Sequence, residues 1–201
     1  MLGRTAGFVQ KRSFDAYELA LLKMPGAKMN LLLKDYSPSD RDGVNQVALE
    51  AFAQYEHHYD DWVSFQDGIG HMADLSNHAD LIVAERGTVV GAVVHVGPGR
   101  PRNQIFPDNW SVLRMLVVHP HQRGQGIGKQ LVAASLRRAY LSGAPVVGLH
   151  TSPIMASALS LYRSLGFEHD CDLPSIRGVP YSRYALSQAA IPIALDRLHK
   201  R

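Results

Sequence analysis

Apolar positions recur along this chain in two alternating periods. Leu31, Leu32 and Leu33 follow Met29-Asn30 and precede Lys34, and this run predicts a strand. Ser37-Pro38-Ser39-Asp40 supplies N-cap chemistry for a helix whose Val44, Val47, Ala48, Ala51 and Phe52 repeat at three- and four-residue intervals. A second helix-like stretch covers 59–75, aromatic and acidic but poorly periodic. Runs at 81–84 and 89–96, joined by Glu85-Arg86-Gly87-Thr88, read as a hairpin. Residues 111–118 are apolar on both faces, which predicts a central strand of a covered sheet. A helix follows in which Ile127, Leu131, Val132, Leu136 and Ala139 share one face. Next come a buried strand at 145–150 and a helix with a stripe of Ile154, Ala158, Leu161 and Leu165, stopped by Gly166. Late strands are expected at 167–173 and 181–186. Strands alternating with helices, with hairpins at both ends, predict an α/β (α+β) domain built on a mixed sheet flanked by helices.

Three segments follow from this pattern: an N-terminal extension over 1–28, a domain over 29–187 and a short amphipathic tail over 188–201. The first 28 residues lack both the apolar run and the cleavage site of a secretory signal, and Asp15 and Glu18 disfavour a transit peptide. No apolar run approaches the ~20 residues of a membrane helix. The expected location is therefore cytoplasmic, and the single cysteine, Cys171, fits a reducing compartment.

Charge changes the picture only through its distribution. The net charge of +3 hides a segregation. Glu50, Glu56, Asp60, Asp61, Asp67, Asp74, Asp80 and Glu85 stand in 43–85 without a single Lys or Arg. By contrast, 98–140 carries Arg100, Arg102, Arg114, Arg123, Lys129, Arg137 and Arg138 against Asp108 alone. One segment favours cations and the other anions.

Chemistry concentrates in Val117-Val118-His119-Pro120-His121-Gln122-Arg123-Gly124-Gln125-Gly126-Ile127-Gly128-Lys129. Glycines between a strand end and a helix start let the backbone take positive φ. They leave the amides of the first turn open to an anion such as a phosphate. A nucleotide-triphosphate loop is excluded, because Arg123 replaces its first glycine and Gln130 its hydroxyl. A dinucleotide fingerprint is excluded, because Gly124, Gly126 and Gly128 are spaced by two. What remains is [QR]-x-x-G-x-[GA], met by Arg123, Gly126 and Gly128.

This segment resembles the acyl-CoA loop of the GNAT superfamily of acyl-CoA-dependent N-acyltransferases. Further on, Ala158-Leu159-Ser160-Leu161-Tyr162-Arg163-Ser164-Leu165-Gly166-Phe167 resembles the family's second signature, A-x-x-L-Y-x-x-x-G-F, in the family's order and spacing. The resemblance spans roughly 29–187. It implies a mostly antiparallel sheet with a splayed strand pair forming the acyl-CoA cleft. It further implies acetyl-CoA as cosubstrate, with pyrophosphate on Arg123, Gly124, Gln125, Gly126, Ile127, Gly128 and Lys129 and the pantetheine arm along Leu116, Val117 and Val118. Tyr162 would be the proton donor to the departing thiolate, and a backbone N–H near Val118 would meet the oxyanion.

The expected activity is transfer of an acetyl group to a primary amine of a small-molecule or peptide acceptor. A non-catalytic acyl-CoA-binding module on the same fold is the alternative. Nucleic-acid binding is disfavoured, since the basic segment has no aromatic platform. No metal and no membrane partner are expected. A homodimer could use the two terminal segments.

Many relatives carry a glutamate early in the strand matching 111–118, but this chain reads Ser111, Val112, Leu113, Arg114, so no side-chain base is assigned. His95 is a candidate base, with packing as its other reading. Glu56, His57, His58, Tyr59, Asp60 and Asp61 lie where the acceptor side would be, and their charge suggests a cationic amine. His150, Thr151 and Arg114 would lie near the thioester. Met155 stands where many relatives have asparagine, and Cys171 reads as a packed residue.

Overall fold

The computed structural model describes residues 30–199, of which 31–199 fall in one compact unit that begins at Leu31. The extension expected over 1–28 lies outside the described residues. Seven strands form one sheet in the order β1-β2-β3-β4-β5-β7-β6. They are β1 (Leu32–Asp35), β2 (Asp80–Glu85), β3 (Val89–Val96), β4 (Ser111–Val118), β5 (Val146–Thr151), β6 (Glu168–Ile176) and β7 (Val179–Ser187). Every neighbouring pair is antiparallel except β4 and β5, which run parallel. A parallel pair needs a long crossover, supplied here by α3 (Ile127–Leu141). The other helices are α1 (Arg41–Phe52), α2 (Trp62–Gly70), α4 (Ala156–Leu165) and α5 (Ile191–His199), and 3-10 turns precede α1 and flank α2.

The sheet is covered on both faces. On one, Ile127, Leu131, Val132 and Leu136 of α3 pack with Ile82, Val93, Leu113, Val147 and Leu186, joined by Leu159, Tyr162 and Leu165 of α4. On the other, Val44, Val47, Ala48 and Ala51 of α1 cover Leu81, Val83, Ala92, Val94 and Val112. Two-sided cover explains why β3 is buried at every position but Val89 and why its sequence is apolar without alternation.

Two expectations need correction. The segment after Ser187 is not a tail beside the domain. Residues 188–190 form a 3-10 turn leading into α5, whose Ile191 and Ala194 are fully buried in the α3-side core. The core stripe of α4 is also not Ile154, Ala158, Leu161 and Leu165. The helix starts only at Ala156, so Ile154 sits in the preceding turn. The buried face is Leu159, Tyr162 and Leu165, which leaves Ala158 and Leu161 half-buried.

Two features of β4 open the cleft. Its ladder with β5 holds only at Ser111↔Val147 and Val112↔Gly148, so from Leu113 onward that edge of β4 has no strand partner. Its ladder with β3 carries a bulge: Ala92 pairs with Val117 and Val94 with Arg114, which leaves Val93 opposite two residues, Met115 and Leu116. Met115 takes φ 53°, unusual for a side chain of that size. On β5, Gly148 leaves room for the rings of Phe106 and Trp110, whose carbons lie 2.8 Å from where a Cβ would stand.

Candidate active site

The strand splay gives two cavities that share Phe52, Leu116, Met155 and Ala158 as wall, so they form one continuous cleft. The larger, about 600 Å³, lies over the glycine loop. The smaller, about 390 Å³, lies between β4, β5 and α2.

The loop is built by local backbone demands. Gly124 and Gly126 take φ of 75° and 79°, conformations that β-carbons disfavour. Gly126 is also the N-cap of α3, and no side chain caps that helix. Its first-turn amides therefore face the cavity with the positive end of a fifteen-residue helix behind them. No atom lies within 4 Å of a Cβ built at Gly124 or Gly126, so the space beside this backbone is open.

Of the residues expected at the cosubstrate, Leu116, Val118, Arg123, Gly124, Gly126, Ile127, Gly128 and Lys129 line the large cavity. Two do not. Val117 points to the opposite face of the sheet and is buried in the α1-side core. Gln125 turns outward and accepts a hydrogen bond from Arg86 Nη1 at 2.5 Å. Arg123 is less free than its sequence position suggests. Its Nη2 donates to the Ala51 carbonyl at 2.9 Å and its Nε to the Val118 carbonyl at 3.3 Å, which ties the end of α1 to the end of β4.

Tyr162 lines the small cavity with 4% of its surface exposed. Its ring packs edge-on against Phe167, and among the described residues no hydrogen bond engages its hydroxyl. Burial raises its pKa, so the phenol stays protonated throughout the neutral range. Thr151 and His150 share this cavity, as does Met155 at its junction with the larger one. Thr151 Oγ1 contacts the Met155 sulfur at 3.7 Å. The His150 ring lies between Phe106 and Tyr181, at 5.9 and 5.6 Å, and its Nδ1 is buried without a partner. Burial, reinforced by the charge of Arg114, lowers its pKa to about 4, so it is neutral at pH 7.

His95 does not reach the cleft. It faces α3, where Nδ1 meets Ser135 Oγ at 3.1 Å, and burial lowers its pKa to about 4. The acidic segment does not line the cleft either. None of its eight carboxylates borders either cavity. Glu50 pairs with His119 at 2.8 Å, Asp80 with Arg100 and Arg138 at 3.4 Å each, Glu85 with Lys34 at 2.5 Å, and Asp74 with Arg41. Asp61 caps α2 through the Ser64 N–H at 3.1 Å and meets Arg177 at 3.5 Å. The acidic segment thus forms no wall of either cavity, and five of its eight carboxylates, Glu50, Asp61, Asp74, Asp80 and Glu85, pair with basic residues from distant elements. His57 and His58 stack on each other at 4.0 Å on the exposed surface. Cys171 is a half-buried free thiol on β6. Among the described residues no three His, Cys, Asp or Glu gather to hold a metal ion, and no helix is long and apolar enough to cross a membrane.

Several wall residues carry no local signal in the sequence. Phe65, Phe106, Ile176 and Tyr181 come from four separate segments. Tyr181 is fixed by a 2.6 Å hydroxyl contact with Tyr59, 122 positions away.

The family model described as Acetyltransferase (GNAT) domain matches residues 77–169. N-acetyltransferase 8F1 of Rattus norvegicus is 35% identical over 100 residues, which span 47% of this chain and 42% of that relative. The chain thus covers less than half the length of the curated relatives it matches. Among solved structures, an N-acetyltransferase from Staphylococcus aureus Mu50 aligns over 79% of this chain and 99% of its own, with TM-score 0.62 and 15% identity. A GNAT family acetyltransferase from Brucella melitensis in complex with acetyl-CoA aligns over 79% and 88%, with TM-score 0.56 and 21% identity. At those identities the structures speak for the fold, a seven-stranded, mostly antiparallel sheet flanked by helices. Fold, family model and sequence relatives agree: residues 77–169 match a GNAT acetyltransferase domain, and the chain is similar to GNAT acetyltransferases in sequence and in fold.

Proposed function

We propose that the chain transfers an acetyl group from acetyl-CoA to a primary amine. One observation carries this reading: an uncapped helix start with left-handed glycines opens into a cavity that continues, along the unpaired edge of β4, to a buried tyrosine. Acetyl-CoA supplies an activated acyl group as a thioester. The loop from Arg123 to Lys129 would hold the pyrophosphate through backbone amides, with Lys129 adding charge. The free edge of β4 past Val112 would pair with the amides of the pantetheine arm as an added strand does.

The chain's own groups then account for the transfer. The amine, held in the small cavity beside the carbonyl carbon, forms the new N–C bond as the C–S bond breaks. A backbone N–H freed by the bulge at Met115 and Leu116, or one further along towards Val118, meets the oxyanion. Tyr162 Oη gives its proton to the departing sulfur. The same burial that raises the phenol's pKa disfavours the free thiolate, so the transfer stays matched. The proton lost by nitrogen passes to solvent, since no carboxylate borders the cavity, and solvent returns a proton to Tyr162 once CoA thiol has left. Release of CoA thiol from acetyl-CoA, followed continuously against a panel of amines, tests this reading. Amine-dependent release is expected, and acetyl-CoA binding without release from any amine would favour a binding module.

A further inference from the structure

The small cavity has a charge that its predicted role does not explain. Three arginines, Arg102, Arg114 and Arg177, reach its wall, and no Asp or Glu does. Two of the three are occupied. Arg102 donates to the carbonyls of Arg100 at 3.1 Å, Pro107 at 3.2 Å, Gly97 at 2.5 Å and Trp110, which ties down the 97–110 loop. Arg177 is exposed and paired with Asp61. Arg114 is different. Its Nε is buried without a partner, and among the described residues no hydrogen bond or ion pair engages its guanidinium. Arg114 is half-buried, an arginine stays charged even where burial lowers its pKa, and a guanidinium partly withdrawn from water with no counter-charge is destabilising until something arrives to pair with it.

Its position is as informative as its isolation. Arg114 precedes the bulge at Met115, on the strand whose free edge borders the cleft, and it shares a cavity with Tyr162. Beside it, His150 Nδ1 is a second buried atom without a partner. Nearby walls are apolar, with Phe52, Phe65 and Phe106 among them. Such a pocket repels a second cation and receives an anion.

Building on the acetyl-transfer reading above, we propose that the acceptor is a small primary amine that also bears a carboxylate, held by Arg114. The planar guanidinium matches a carboxylate through paired N–H donors, and the match is strongest where water is excluded. His150, neutral at pH 7, supplies a further polar contact at the same end of the cavity.

The test compares acceptors that differ only in the carboxylate: phenylalanine with phenylalaninamide, and 4-aminobutanoate with butylamine. Acetyl-CoA binding is measured in parallel by calorimetry. Without carboxylate recognition phenylalaninamide reacts faster, because its amine is less basic and less protonated at neutral pH. The proposal predicts the reverse in at least one pair, with kcat/KM higher for the acid on the order of 10- to 100-fold, as a charge-assisted contact gives. Arg114→Met should collapse that ratio towards one, mainly through the KM of the acid, and Arg114→Lys should restore part of it. Arg114→Met should also raise the melting temperature of the ligand-free protein, since it removes a half-buried charge whose Nε has no partner. A lower melting temperature marks a structural arginine and overturns the proposal. Amides and simple amines preferred in both pairs also overturn it, while thiol release with them leaves acetyl transfer standing. Failure to bind acetyl-CoA defeats the parent reading and this proposal together.

Discussion

Acid should unfold this domain early, and two histidines set where. His95 and His150 each have a pKa lowered from 6.5 to about 4, in both cases chiefly by burial. A group whose folded-state pKa lies below its unfolded value binds its proton more readily in the unfolded chain. Its contribution is then complete above pH 6.5 and is lost as pH falls towards 4. At about 1.4 kcal/mol per pH unit of lowered pKa, each histidine accounts for about 3 kcal/mol over the whole window. At pH 5 about 2 kcal/mol of each is gone, or about 4 kcal/mol together. That is a large share of the ~5–15 kcal/mol by which domains of this size are stable. Urea unfolding followed by circular dichroism at pH 8, 6 and 5 should show the loss. His95→Gln retains hydrogen-bonding capacity towards Ser135 and removes one titration, so it should roughly halve the difference between pH 8 and pH 5. Equal stability at pH 8 and 5, or a ring titration of His95 near 6.5 by NMR, refutes the reasoning.

Three further substitutions probe the cleft. Tyr162→Phe should lower kcat on the order of 100-fold and spare acetyl-CoA affinity, as removal of a positioned proton donor does; unchanged turnover in stopped assays removes Tyr162 from that role. Gly126→Val meets no atom within 4 Å, so its cost to the fold is the strain of a β-branched residue at φ 79°, about 1–2 kcal/mol. Its side chain projects into the space the ligand needs, and calorimetry should show acetyl-CoA affinity weakened at least ~10-fold as two or more amide contacts are disturbed. Gly148→Ala places a Cβ 2.8 Å from ring carbons of Phe106 and Trp110, an overpacking worth about 1–3 kcal/mol, read as a lower urea midpoint.

What could be read from the sequence divides along physical lines. Local chemistry was legible: the glycine loop, the hairpin ending at Val96, and Tyr162 in the motif that ends at Gly166-Phe167 all depend on neighbours within one or two elements. Facing was not. On a strand apolar on both sides, alternation cannot say which face a residue takes, so His95 reads as a cleft base or as a packed residue, and its contact with Ser135 of α3 decides for packing. Val117 went to the α1-side core for the same reason. Charge pairing was hidden as well, because Asp80, Glu50 and Asp74 find partners 20 to 69 positions away. In sequence the helix over 191–199 reads as a tail, since only the packing of Ile191 and Ala194 against α3 and α4 makes it part of the core.

The central claim is that the glycine loop and the free edge of β4 hold acetyl-CoA. Titration calorimetry of acetyl-CoA into the purified chain tests it most directly. The account predicts one site per chain, with desulfo-CoA binding there in competition, because the contacts lie on the pyrophosphate and pantetheine rather than on the sulfur. No heat of binding from either ligand, with no change in melting temperature at millimolar concentration, contradicts it.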